Sequence, residues 1–213
     1  MIVKICGITS IEVAEAARDY GADLIGFVFA KSRRRIAVEV AEKIANTVKN
    51  VGKVGVFVNT PLVEVQEIAE RCKLDFVQLH GEESPEYCRL VRYPVIKAIR
   101  VGEQFDPQSL ANYDVDWVLF DSLVPGQQGG TGIPFDWHKA KTIRTQIKIP
   151  LLIAGGLTPD NVAEAIRTLS PQGIDVSGGV ETNGQKDIEK IKQFLLATRN
   201  TEGGITSHAE RNY

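Results

Sequence analysis

The chain has 213 residues, of which 43% are apolar and 24% charged, and its formal net charge is −2. That balance excludes a strongly basic nucleic-acid binder and gives no reason to expect a membrane partner, and no run approaches the ~18 apolar residues of a transmembrane helix. The first strand is expected to begin at Ile2, which leaves no room for a signal peptide. The three cysteines lack C-x-x-C or metal spacing, so neither a disulfide framework nor a bound metal is expected, and a cytoplasmic protein is.

In chain order, short runs rich in Val, Ile and Phe alternate with segments of helical period. Strands are expected over residues 2–6, 23–29, 53–58, 75–80, 94–99, 116–121, 150–154 and 173–177. Helices are expected over 10–20, 37–49, 61–73, 84–93, 105–113, 135–146, 159–169 and 187–199. Thr9 with Glu12 is spaced as a capping box, and Thr60-Pro61, Ser84-Pro85 and Thr158-Pro159 each place a cap before a first-turn proline. Leu62, Val65, Ile68, Ala69 and Cys72 form one apolar stripe, and Val162, Ala165, Ile166 and Leu169 another. From Thr201 onward the chain is polar and without period. A domain over 1–200 with a flexible tail over 201–213 is therefore expected.

Eight strand–helix units in slightly over 200 residues predict an α/β chain folded as a single (β/α)8 TIM barrel, whose chemistry gathers at the C-terminal ends of the strands. The competitor is a doubly wound open sheet. It would usually place Gly-x-Gly-x-x-Gly after the first strand, and Cys6-Gly7-Ile8-Thr9 does not match.

At the strand ends, Cys6 in Lys4-Ile5-Cys6-Gly7-Ile8 is the candidate base. A helix starting about three residues on, and Lys4 on the same face of the strand, both favour its thiolate. On the hexapeptide alone, the plainer reading is a buried cysteine beside a glycine turn. Cys72 and Cys88 fall within helical patterns and read as core. Ala154-Gly155-Gly156-Leu157 ends strand 7 and Ser177-Gly178-Gly179-Val180 ends strand 8. These loops commonly cradle a phosphate in this fold. Residues 125–132 form a glycine-rich loop with the length of a lid. Asp121 closes strand 6, three strands around the ring from Cys6, as an acid placed opposite a base. Arg33, Arg34 and Arg35 offer a guanidinium fork to a carboxylate, and Gln78 and His80 on strand 4 would point inward. A histidine at a strand end is more often a hydrogen-bonded structural residue than a catalyst.

Together these residues resemble the phosphoribosylanthranilate isomerase family of tryptophan biosynthesis, over roughly residues 2–198. The resemblance is carried by Lys4-Ile5-Cys6-Gly7-Ile8, Gly26-Phe27-Val28-Phe29, Val54-Gly55-Val56-Phe57-Val58-Asn59, Val77-Gln78-Leu79-His80-Gly81, Gly129-Gly130-Thr131-Gly132 with Phe135-Asp136-Trp137, and Asp175-Val176-Ser177 with Gly179-Val180-Glu181. It implies a cofactor-free Amadori rearrangement in which Asp121 protonates the furanose ring oxygen and Cys6 removes the C2 proton. It also implies that the arginine after Lys31-Ser32 holds the anthranilate carboxylate. That arginine is Arg34, with Arg35 as the alternative, because the loop is one residue shorter than in many relatives. Gly178 stands where the family usually has a second serine, which shifts phosphate binding toward backbone N–H groups. The implied partner is a small phosphoribosyl substrate, and the implied assembly a monomer or homodimer. Two other readings remain: a related barrel isomerase of histidine biosynthesis, which usually needs an aspartate where strand 1 has Cys6, and a noncatalytic phosphoribosyl-binding protein.

Overall fold

The computed structural model of the chain describes residues 1–102, 105–122 and 143–202. Eight parallel strands close into a barrel: β1 (Ile2–Cys6), β2 (Leu24–Val28), β3 (Gly52–Phe57), β4 (Phe76–Leu79), β5 (Val95–Val101), β6 (Trp117–Ser122), β7 (Leu151–Ile153) and β8 (Gly173–Val176), with β1 paired to both β2 and β8. Outside them run α1 (Ile11–Asp19), α2 (Val38–Thr47), α3 (Leu62–Arg71), α4 (Pro85–Leu90), α5 (Val162–Leu169) and α6 (Ile188–Glu202). A short antiparallel hairpin, β9 (Glu181–Thr182) and β10 (Gln185–Lys186), follows β8. Among the described residues, no helix is long and apolar enough to cross a membrane.

Strand alternation builds two apolar layers. Leu24, Val54, Ile96, Ala98, Leu119 and Leu152 pack together inside the barrel. Their chain neighbours Ile25, Val95, Val118, Phe120, Leu151 and Ile153 face the helices. The expected stripes hold: Val65, Ile68, Ala69 and Cys72 are buried, as are Val162, Ala165 and Leu169.

Three expectations differ at element ends. Ser10, not Thr9, caps α1, accepting from the Val13 N–H at 3.3 Å, so the helix opens one residue later. α3 and α5 likewise start late and receive no side-chain cap bond from Thr60 or Thr158, whereas Ser84 caps α4 as expected. The helix expected over 105–113 is only a 3-10 turn, Pro107–Asn112, which buries a single apolar residue, Leu110. One buried anchor is too little to draw a full α-helix onto the barrel. The loop 125–132, most of the helix expected over 135–146, and the tail beyond Glu202 lie outside the described residues.

Candidate active site

A cavity of about 400 Å³ opens at the C-terminal mouth of the barrel, the size of a small-molecule site. Cys6, Arg34, His80, Asp121, Gly155, Gly156, Ser177, Gly178 and Gly179 all line it, so the candidates from six loops and strand ends meet in one place. Arg35 does not line it, and its side chain is exposed. Of the three arginines, the largely buried Arg34 and the more exposed Arg33 line the cavity.

Cys6 takes its inward direction from alternation. Val3 and Ile5 pack outward while Lys4 and Cys6 face the interior. Barrel closure sets Lys4 opposite Asp175, and its Nζ donates to Asp175 Oδ1 at 2.9 Å, both groups being buried. Gly26, beside Cys6 in register, leaves the space these side chains fill, because a Cβ there would sit 2.9 Å from Cys6 Sγ. Gly7 turns the chain away with φ of 81°, a backbone state that favours glycine, and the Arg34 side chain lies across it.

The electrostatics correct one expectation. Burial pushes the Cys6 thiol above its ordinary pKa, and Lys4 pulls it back only in part. The helix expected to favour the thiolate, α1, begins five residues on rather than three. Lys4 itself is drawn down by burial, but Asp175 and Cys6 outweigh that effect and keep it cationic. Cys72, pushed up to about 11, and Cys88 are buried neutral thiols, as the helical pattern implied.

On the opposite wall, Asp121 is buried at the end of β6, and His80 Nε2 lies 3.3 Å from its Oδ2. Gln78 Nε2 contacts His80 Nδ1 at 2.9 Å; with the amide as donor, the ring proton sits on Nε2 and points at Asp121. His80 thus both lines the cavity and orients Asp121.

Gly155 and Gly156 have φ of 84° and 66°. Gly155, Gly156, Gly178 and Gly179 line the cavity, and among the described residues none of the turn and loop backbone hydrogen bonds uses their N–H groups. The Ser177 hydroxyl donates to the Cys6 carbonyl at 3.1 Å and receives Lys186 Nζ at 3.2 Å. Its single proton is engaged there.

Asp175, Glu181 and Lys186 border the site without having been assigned a part in it. Alternation along β8 could have placed Asp175 inside, level with Lys4. The Glu181–Lys186 hairpin has no periodic signal from which to read its contact with Arg34.

The family model described as N-(5'phosphoribosyl)anthranilate (PRA) isomerase matches residues 3–197. An N-(5'-phosphoribosyl)anthranilate isomerase of Oceanobacillus iheyensis is 48% identical over 200 residues, covering 92% of this chain and 95% of that one. The crystal structure of phosphoribosyl anthranilate isomerase from Thermus thermophilus superposes with a TM-score of 0.85 at 37% identity, over 94% of this chain and 99% of that one. A phosphoribosyl anthranilate isomerase solved in complex with reduced 1-(o-carboxyphenylamino)-1-deoxyribulose 5-phosphate superposes with a TM-score of 0.83 at 38% identity, over 94% of this chain and 100% of that one.

Proposed function

This chain belongs to the N-(5'-phosphoribosyl)anthranilate isomerase family, and from that premise we propose that Asp121 is the general acid, Cys6 the general base and Arg34 the carboxylate anchor. The reaction is the Amadori rearrangement of N-(5'-phosphoribosyl)anthranilate to 1-(2-carboxyphenylamino)-1-deoxy-D-ribulose 5-phosphate in tryptophan biosynthesis. The observation that supports the roles best is the placement of Cys6 and Asp121 on different walls of one cavity, with phosphate-type loops and Arg34 around its rim.

Asp121, oriented by His80, gives its proton to the furanose ring oxygen. The bond from C1 to that oxygen breaks, and the nitrogen lone pair closes a protonated Schiff base at C1. Cys6, as thiolate, then takes the C2 proton, and the C–H electrons form a C1–C2 double bond while the iminium nitrogen is neutralised. The enolamine tautomerises: the C2 hydroxyl becomes the ketone and C1 gains a hydrogen. The pair of electrons that leaves C2 arrives at C1, so the chemistry calls for no outside oxidant. Burial makes the thiolate the less favoured form of Cys6, and the positive iminium lowers the demand on that base because it makes the C2 proton acidic once the ring has opened. Gly155, Gly156, Ser177, Gly178 and Gly179 hold the 5-phosphate through backbone donors. The barrel over 1–200 works as the catalytic domain with 201–213 appended, in the cytoplasm, as a monomer or homodimer.

The test is to mix the protein with N-(5'-phosphoribosyl)anthranilate and follow the loss of anthranilate-type fluorescence. Asp121→Asn keeps size and hydrogen bonding but delivers no proton, so kcat should fall about 1,000-fold with KM little changed. The reduced open-chain product needs no protonation and should bind the variant as well as wild type. If its affinity falls as far as kcat does, Asp121 is a binding or structural residue rather than the acid.

A further inference from the structure

Glu181 takes no part in the roles above, yet three cations converge on it. Arg34 Nε reaches Oε1 at 2.6 Å and Arg34 Nη2 reaches Oε2 at 3.1 Å. Arg33 Nη2 adds a contact to Oε2 at 2.7 Å, and Lys186 Nζ one to Oε1 at 2.8 Å. Burial would raise the Glu181 carboxyl, but hydrogen bonds from Arg34 and Lys186 outweigh it and hold the group below its ordinary range, so it is ionised.

The geometry of the Arg34 contact matters more than its charge. Nε and Nη2 form the side-on fork of a guanidinium, and both engage one carboxylate. The planar group is thereby fixed in orientation, while the end-on fork, Nη1 with the second N–H of Nη2, makes no hydrogen bond among the described residues. The stem packs over Gly7, where an added Cβ would sit 2.9 Å from Arg34 Cδ. Three cations against one carboxylate leave a surplus of two positive charges at the rim, so Glu181 does not cancel the attraction for an anion. Lys186, nearly buried and also bonded to the Ser177 carbonyl at 2.8 Å, holds Glu181 in turn.

We propose that Glu181 is the positioning residue that locks the Arg34 guanidinium for end-on capture of the substrate's aromatic carboxylate, and so sets the preference for a carboxylated aniline over an uncarboxylated one. The proposal rests on the reading that Arg34 is the carboxylate anchor.

Two ligands separate the possibilities: the reduced open-chain product, which carries the ortho-carboxylate, and its N-phenyl counterpart without it. Each is titrated against wild type, Glu181→Gln and Arg34→Lys. Glu181→Gln should cut the preference for the carboxylated ligand about tenfold, leave the affinity for the N-phenyl ligand unchanged, and raise KM with little change in kcat. Equal weakening of both ligands would show that Glu181 merely supports the pocket and overturns the proposal. So does an unchanged or increased preference, the latter marking Glu181 as a competitor of the substrate carboxylate. Should Glu181→Gln not fold, Glu181→Asp is titrated in its place and read by the same criteria. Arg34→Lys tests the underlying reading separately: if it leaves the preference intact, Arg34 is not the anchor, whereas if it abolishes the preference and the Glu181 variant does not, only the positioning role fails.

Discussion

Among the described residues, two lysines on barrel strands pair with buried carboxylates, and they differ in what else the lysine touches. Lys97 on β5 meets Glu83 at 2.8 Å, and its other protons go to the carbonyls of Gly81 at 2.7 Å and Leu79 at 3.3 Å. Glu83 in turn accepts from the N–H groups of Asn59 at 2.8 Å and Gly81 at 3.0 Å. Because Ile96 and Ala98 face the barrel interior, Lys97 points to the outer layer, where the pair staples the loop that carries His80. Lys4 on β1 points inward, donates to Asp175 at 2.9 Å and interacts with the Cys6 thiol beside the cavity. A saturated pair holds structure; a pair with donor capacity left over can support chemistry. Charge and burial alone do not tell them apart.

The largest expected effect breaks the outer pair. Glu83→Gln strands the buried Lys97 ammonium and weakens the bonds to Asn59 and Gly81, so it should cost about 3–5 kcal/mol in denaturant unfolding. Activity per folded molecule should stay close to wild type. A stable variant with poor turnover would mean that this pair, too, serves the reaction.

At the inner pair, Cys6→Ser replaces the proposed base by a hydroxyl that does not ionise near neutral pH. Turnover should fall about 100-fold or more with the melting curve little moved. Cys72→Ser should do the reverse, losing about 1 kcal/mol of stability and no activity. Wild-type turnover in a folded Cys6→Ser protein would remove Cys6 from the mechanism.

The smallest effect sharpens the comparison most. The proposed base works as a thiolate, and burial sets the thiol above its ordinary value, so kcat/KM should climb as pH rises through neutrality. Lys4 opposes that upward shift. Lys4→Met should move the rising limb further up, lowering turnover at neutral pH in a way that recovers at alkaline pH. A loss that does not recover with pH would make Lys4 a structural residue like Lys97.

Strand and helix order could be read from hydrophobic period because each β/α unit buries its own face locally, and Ser84-Pro85 or the α3 stripe carries that information within a dozen residues. The segment 105–113 could not, since its outcome depended on how few of its side chains found the barrel. Cys6, Asp121 and the glycines at the ends of β7 and β8 were legible as strand-end residues, given a closed barrel. What the sequence determined by itself is which residues stand at the mouth, because alternation and element ends are local properties. Only the tertiary structure decided how those residues act. Lys4 meets Asp175 across 171 positions of chain, Arg34 meets Glu181 across 147, and His80 meets Asp121 across 41. Desolvation and charge pairing, which set the protonation of Cys6 and the orientation of Arg34, exist only once barrel closure brings those distant side chains together.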